Sequence, residues 1–282
     1  MFNFMNKQFD GFIYSAFFSR LRSQTLYLKI INFLFKITKP YVRSTSAEKE
    51  IVKKIEEDGY IKIENFLSNY EFEEMKIYLE NLENFDEKTS EGFSYKKKNI
   101  SNEILEKFVK FKSLNNIAKC FYKFNIINTP KINYQKQYSD FKISYNLDQS
   151  AEKIHSDRIY KSLKFFFYIT DTSKNNFPFC YCKKTNTGNL DSKFYDKLFI
   201  NFNGDKNVFP TITEKLKKEH NIESEEEIYC KKNTLLIADT SGLHRRGSFV
   251  LGSERILLQG NYQNSVTIIG LLKNILLKSS NL

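Results

Sequence analysis

The run 163–170, Leu-Lys-Phe-Phe-Phe-Tyr-Ile-Thr, constrains the fold more than any other stretch of the chain. Side chains of a β-strand alternate between two faces. Leu163, Phe165, Phe167 and Ile169 form one set, and Phe166 and Tyr168 belong to the other. Both sets are apolar, so such a strand is buried on both sides. One face must look into a barrel or sandwich interior, and the other must be covered from outside by helices.

The N-terminal half supplies those helices. Residues 46–57 read as a charged amphipathic helix with Ile51, Val52 and Ile55 on one side. Gly59 breaks it, and Tyr60-Ile61-Lys62-Ile63 alternates as a short strand. Ser68-Asn69-Tyr70-Glu71 is a capping box, in which the serine accepts from backbone amides and the glutamate reaches back, so a helix is expected to about 82. Residues 86–99 are polar and read as a loop; 102–121 return to helical spacing. From about 126 the period becomes two. Candidate strands cover 131–138, 141–146, the segment around His155, 163–171, 227–230, 234–238 and 255–262. Short strands separated by turns point to an antiparallel barrel or jelly roll.

Three segments lie outside this pattern. Residues 1–45 are aromatic and basic and read as a helical extension. Their apolar stretch, 26–37, is too short for a bilayer span and is interrupted by Lys29 and Lys36. Packing on the protein is favoured over peripheral contact with a membrane surface. Residues 185–224 form a polar insertion, expected as a variable cover or lid, and 265–282 read as an apolar C-terminal helix.

Hydrophobic residues make up 41% of the 282 and aromatic residues 16%, enough for a sizeable core. The net charge of +11 admits nucleic acid, an acidic membrane or an anionic ligand. No helix-turn-helix, zinc-finger or RNA-binding signature is visible, and the longest basic run, Lys96-Lys97-Lys98, reads as a solvated loop, so no nucleic-acid partner is expected. Four cysteines are too few for a disulfide framework. Cys180 and Cys182 would share a strand face, but no further ligands stand at zinc spacing. They read as core or pocket-lining thiols, and the chain as a cytoplasmic protein.

Chemistry concentrates in Glu152-Lys153-Ile154-His155-Ser156-Asp157. His155 and Asp157 are two apart, so on a strand an imidazole and a carboxylate would share one face and could grip one divalent ion. A second histidine would complete a two-histidine, one-carboxylate facial set, which leaves the opposite coordination positions open. The chain has three histidines. His220 lies in a charged segment; His244 follows an apolar strand and a Ser241-Gly242 break, and is the better third ligand. Arg255, eleven positions beyond His244, opens another apolar strand; its guanidinium suits bidentate capture of a carboxylate. Arg246, two after His244, would share its face, and with Arg158, Lys161 and Lys164 it suggests a positive pocket mouth.

The ordered set His155-x-Asp157, His244, Arg255 resembles the phytanoyl-CoA dioxygenase family of Fe(II)/2-oxoglutarate oxygenases. The resemblance begins at Asp58-Gly59-Tyr60 and Phe66-Leu67-Ser68, similar to the family's opening strand and turn, and runs from about Glu48 to Tyr262. It implies an α+β, mostly β fold: a double-stranded β-helix (jelly roll, cupin-like) core over 46–264 with helices on the outside of the sheet. It implies iron on His155, Asp157 and His244, and the distal carboxylate of 2-oxoglutarate on Arg255. The face that Arg246 shares with His244, apart from the resemblance, makes it a weaker second cofactor contact. O2 would be the co-oxidant and hydroxylation of a small metabolite the outcome. The basic residues near the two histidines, rather than the resemblance, point to an anionic substrate, unless alternation turns them outward. Asp157 argues against halogenation, because related halogenases lack that carboxylate. The chain departs from the family after the 163–171 strand: Asn176-Phe177-Pro178 and then Cys180-Tyr181-Cys182 replace the usual Asn-Gly-Pro and Pro-Gly-Ser-His turns, on the substrate side. The rival readings are a non-catalytic β-sandwich docking on an acidic membrane surface, and a cupin-type metalloenzyme with no keto-acid cosubstrate.

Overall fold

The structure, a computed structural model, describes residues 44–82, 85–88, 94–97, 99–123, 129–139, 153–158, 161–186, 189–190, 194, 197–198 and 211–262. The expected extension 1–45 (apart from its last two residues), the strand expected at 141–146 and the helix at 265–282 lie outside the described residues.

Two capping boxes start the first two helices among the described residues. Thr45 caps α1 (Ser46–Asp58), accepting from the amide of Glu48, whose carboxylate returns to the Thr45 amide. Ser68 and Glu71 do the same for α2 (Asn69–Glu80). Gly59, at φ +93°, ends α1 in the left-handed conformation that favours glycine, and the chain passes into β1 (Tyr60–Ile63). The helical stretch expected at 102–121 is divided: α3 (Ser101–Lys107), a 3-10 turn at Val109–Lys112, then α4 (Ser113–Tyr122). The break at Phe108 turns that buried ring and Phe111 into the core.

Residues 86–99 are not simply a loop. They contain β2 (Glu87–Lys88) and β3 (Ser94–Lys97), and β3 pairs antiparallel with β4 (Lys131–Tyr138). A short polar edge strand has no apolar alternation to announce it; the neighbouring strand's free backbone groups create it. The remaining strands are β5 (Leu163–Tyr168), β6 (Phe179–Tyr181), β7 (Glu226–Ile228), β8 (Thr234–Asp239), β9 (His244–Arg246) and β10 (Glu254–Asn261). Between β6 and β7 lies α5 (Glu214–Glu219).

Among the described residues a seven-stranded sheet runs β1-β8-β5-β10-β4-β3-β2, and a three-stranded sheet β7-β6-β9, all antiparallel. Among the described residues, the segment around His155, expected as a strand, joins the smaller sheet through an isolated bridge to His244 of β9 and makes a second isolated bridge to Thr211.

The alternation in β5 does what its composition requires. Leu163, Phe165 and Phe167, with Leu235, Ile237 and Leu258, pack against the helices through Ile55, Phe72, Met75, Phe111 and Phe121. Phe166 and Tyr168, with Leu236, Ala238 and Leu257, pack on Phe179, Tyr181 and Ile228 of the smaller sheet. The described part of 185–224 also enters the helix-side core, through Phe194, Leu198 and Leu216. Among the described residues no helix is long and apolar enough to cross a membrane.

Candidate metal centre

His155 and His244 face each other across an antiparallel bridge. The His155 amide donates to the His244 carbonyl at 3.0 Å, and the His244 amide donates back at 2.9 Å. Residues opposed in this way project their side chains to the same side, which brings the ring centroids to 4.5 Å. Asp157, two further on, is anchored by its amide to the Thr240 carbonyl at 2.9 Å. The Ser156 hydroxyl stands 2.8 Å from the carbonyls of both Arg158 and Ser241.

The turn before His244 is pinned by Asp239. One carboxylate oxygen accepts from the amides of Ser162 and Ser241, at 2.9 and 3.1 Å. Its carbonyl accepts from the Tyr181 hydroxyl at 2.8 Å. Burial pushes the Asp239 carboxyl above its ordinary pKa.

One ligand atom from each of His155, Asp157 and His244 lies within 4.8 Å of the others. His155 Nε2 is 3.8 Å from one Asp157 oxygen and His244 Nε2 is 3.8 Å from the other. All three residues are buried, at 5%, 4% and 6% exposure, so water competes poorly for the site. Each imidazole is oriented from behind: His155 Nδ1 stands 2.7 Å from the Lys153 carbonyl, and His244 Nδ1 stands 2.9 Å from the Gly242 carbonyl. A carbonyl only accepts, so Nδ1 carries the proton and Nε2 presents its lone pair.

Electrostatics agree. Burial lowers the pKa of His155 and, reinforced by His155 itself, drops His244 to about 3. Burial pushes Asp157 upward, but neighbouring cations, the Lys164 ammonium first, outweigh it and hold the carboxyl well below its usual range. At neutral pH both imidazoles are uncharged, so Lys164 is the cation responsible. Its Nζ lies 2.5 Å from Asp157 Oδ2. Two neutral imidazoles and one carboxylate, all turned to one point, fit a divalent ion of borderline hardness.

Arg255 and Arg246 converge on one aromatic ring. Arg255 Nε donates to Gln137 Oε1 at 2.8 Å, Nη2 donates to the same oxygen, and Nη1 donates to the Phe177 carbonyl at 2.9 Å. The Arg255 guanidinium sits 5.7 Å from the Phe177 ring centroid, and that of Arg246 sits 5.9 Å from it and 5.8 Å from Phe249. Burial, with Arg246 adding to it, lowers Arg255 to about 10, which leaves it charged at neutral pH.

The expected cluster of cations divides. Lys164 and Arg246 turn inward, whereas Lys161 bonds Glu56 Oε1 at 2.7 Å and lies over Phe121 on the helix side. His220 caps the end of α5 with its ring against Phe194, and is not in the group of three that converge. Cys180 and Cys182 are fully buried, and burial raises their thiols to about 12 and about 11. All four cysteines are free.

Three participants escape the sequence reading: Lys164 as the contact of Asp157, Gln137 as the acceptor for Arg255, and Phe177 as the surface under both guanidiniums. Lys164 carried a signal, since a charge inside a strand buried on both faces needs a counter-charge. Gln137 and Phe177 carried none.

No family model matches the chain, and no curated protein matches it. Solved structures do share its fold. The epimerase SnoN from nogalamycin biosynthesis, in complex with Fe3+, alpha ketoglutarate and nogalamycin RO, superposes with a TM-score of 0.51 at 10% identity, over 77% of this chain and 84% of that one. AviO1 from Streptomyces viridochromogenes Tue57 gives 0.50 at 12% identity, over 78% of this chain and 96% of that one. At such identities the likeness is one of fold.

Proposed function

We propose that the chain is an Fe(II)- and 2-oxoglutarate-dependent dioxygenase of phytanoyl-CoA dioxygenase type, with a jelly-roll core, that hydroxylates a small anionic metabolite in the cytoplasm. The carrying observation is the convergence of three buried ligand atoms within 4.8 Å. The non-heme, alpha ketoglutarate dependent SnoN has a similar fold, which supports the reading.

His155, Asp157 and His244 would hold the ion, with both Nε2 lone pairs already aimed. Fe(II) bound there would supply activation of O2 coupled to oxidation of the keto acid. Arg255 would take the distal carboxylate of 2-oxoglutarate, exchanging its contact with Gln137 for a charge-assisted pair. Arg246, on the same face of β9 as His244, places a second buried guanidinium near the first, and this favours an anionic substrate. A non-catalytic membrane-docking sandwich gives no reason for two Nδ1-locked imidazoles around a buried carboxylate.

The test is anaerobic titration of the full chain with Fe(II) and then 2-oxoglutarate. A weak visible charge-transfer band is expected. H244A should lose both metal and band. R255Q should keep the metal and need about 10–100-fold more 2-oxoglutarate for the same band, the worth of one hydrogen-bonded charge. A wild-type chain that binds Fe(II) with no band at saturating 2-oxoglutarate would leave a metalloprotein without this cosubstrate.

A further inference from the structure

Lys164 is a charged residue within the most apolar strand of the sheet. Its backbone is flanked by Ala238 of β8 and Asn261 of β10. Its neighbours Leu163 and Phe165 enter the helix-side core, so alternation sends the lysine into the space between the sheets. There its side chain is 12% exposed and that of Asp157 1%, with Nζ 2.5 Å from Oδ2. Removing an ammonium from water is costly, and an apolar residue would pack at this position without that cost. The charge therefore points to a role at Asp157. The ammonium thus holds Oδ2, which also stands 3.8 Å from His244 Nε2, while Oδ1 stands 3.8 Å from His155 Nε2.

We infer that Lys164 is a positioning residue that restricts Asp157 to ligation through one oxygen and weakens that carboxylate as a donor. The inference rests on the metal reading above. A carboxylate ligating through both oxygens would fill a fourth position of a six-coordinate ion. Three positions stay open only if Asp157 contributes one, and a chelating keto acid together with O2 needs all three. The ammonium also opposes the arrival of a second cation, so affinity for the ion is lowered in exchange for open positions.

The test is Co(II) binding to the full chain, read by calorimetry and by the visible d–d spectrum. K164M is expected to bind Co(II) about tenfold more tightly, because a nearby positive charge is gone, and to show an altered spectrum. K164R is expected to keep the wild-type values. A lysine that merely supports the fold predicts the opposite sign, since loosening a ligand usually weakens binding. The inference fails if K164M binds no more tightly than wild type, or if K164R shifts as K164M does. A wild-type chain that binds no Co(II), or an H155A chain that binds it as well as wild type, would instead overturn the metal reading itself. If K164M lacks the wild-type circular dichroism, K164Q is read by the same two measurements.

Discussion

At the scale of single residues, the centre is prepared by burial and by the carbonyls behind it. Both imidazoles are lowered below their ordinary pKa, His244 to about 3, with burial the leading cause. The sign of the stability effect follows. Between the unfolded value of about 6.5 and the folded value, the unfolded chain binds protons that the folded one refuses. Stability therefore rises with pH in that window and is lost as pH falls through it. Asp157, held low chiefly by Lys164, acts in the same direction. The metal-free protein is expected to lose thermal stability steadily as pH falls from about 6.5 toward 3, with a shallower slope for H244N, whose amide does not titrate. Melting curves across that range decide it; equal slopes would mean that His244 is not held neutral. Of these residues the sequence singled out His155, Asp157, His244 and Arg255 as candidates through type and spacing. Gln137 was silent, because nothing about a glutamine in an alternating strand says which arginine lies across from it.

At the scale of elements, local chemistry set the boundaries that could be read. The Ser68–Glu71 box opens α2, Gly59 closes α1, and β4 covers the residues its alternation marks. Elements and pairings made by neighbours were not legible: the β2–β3 pair, and which residues the His155 segment bridges. The turn between β8 and β9 is the element that matters most to the site. A Cβ on Gly242 would fall 1.8 Å from the Tyr181 hydroxyl, and the Gly242 carbonyl orients His244. G242A is expected to displace the ring or the turn, at about 1–3 kcal/mol of stability, and to weaken metal binding. Urea denaturation and Co(II) titration measure the two effects. An unchanged metal affinity in a destabilised G242A would show that the turn supports the fold without setting the ligand.

At the scale of the whole molecule, one strand joins helices, large sheet and small sheet. Phe167, fully buried, has ring contacts with Phe66, Phe72 and Phe111 at 5.9, 6.1 and 5.3 Å. F167A is expected to lower stability by about 3–5 kcal/mol, the transfer and cavity terms of a buried aromatic; a loss below about 1 kcal/mol would mean that the helix layer closes the gap. The sequence by itself determined that β5 is covered on both faces, where the capped helices begin, and which side chains could ligate an ion, because alternation, capping and residue chemistry act within a few neighbours. Only the tertiary structure decided that His155 and His244 oppose each other, that Lys164 reaches Asp157, and that two guanidiniums share Phe177. Those contacts join positions far apart in the chain, and register and packing, which no local pattern records, bring them together.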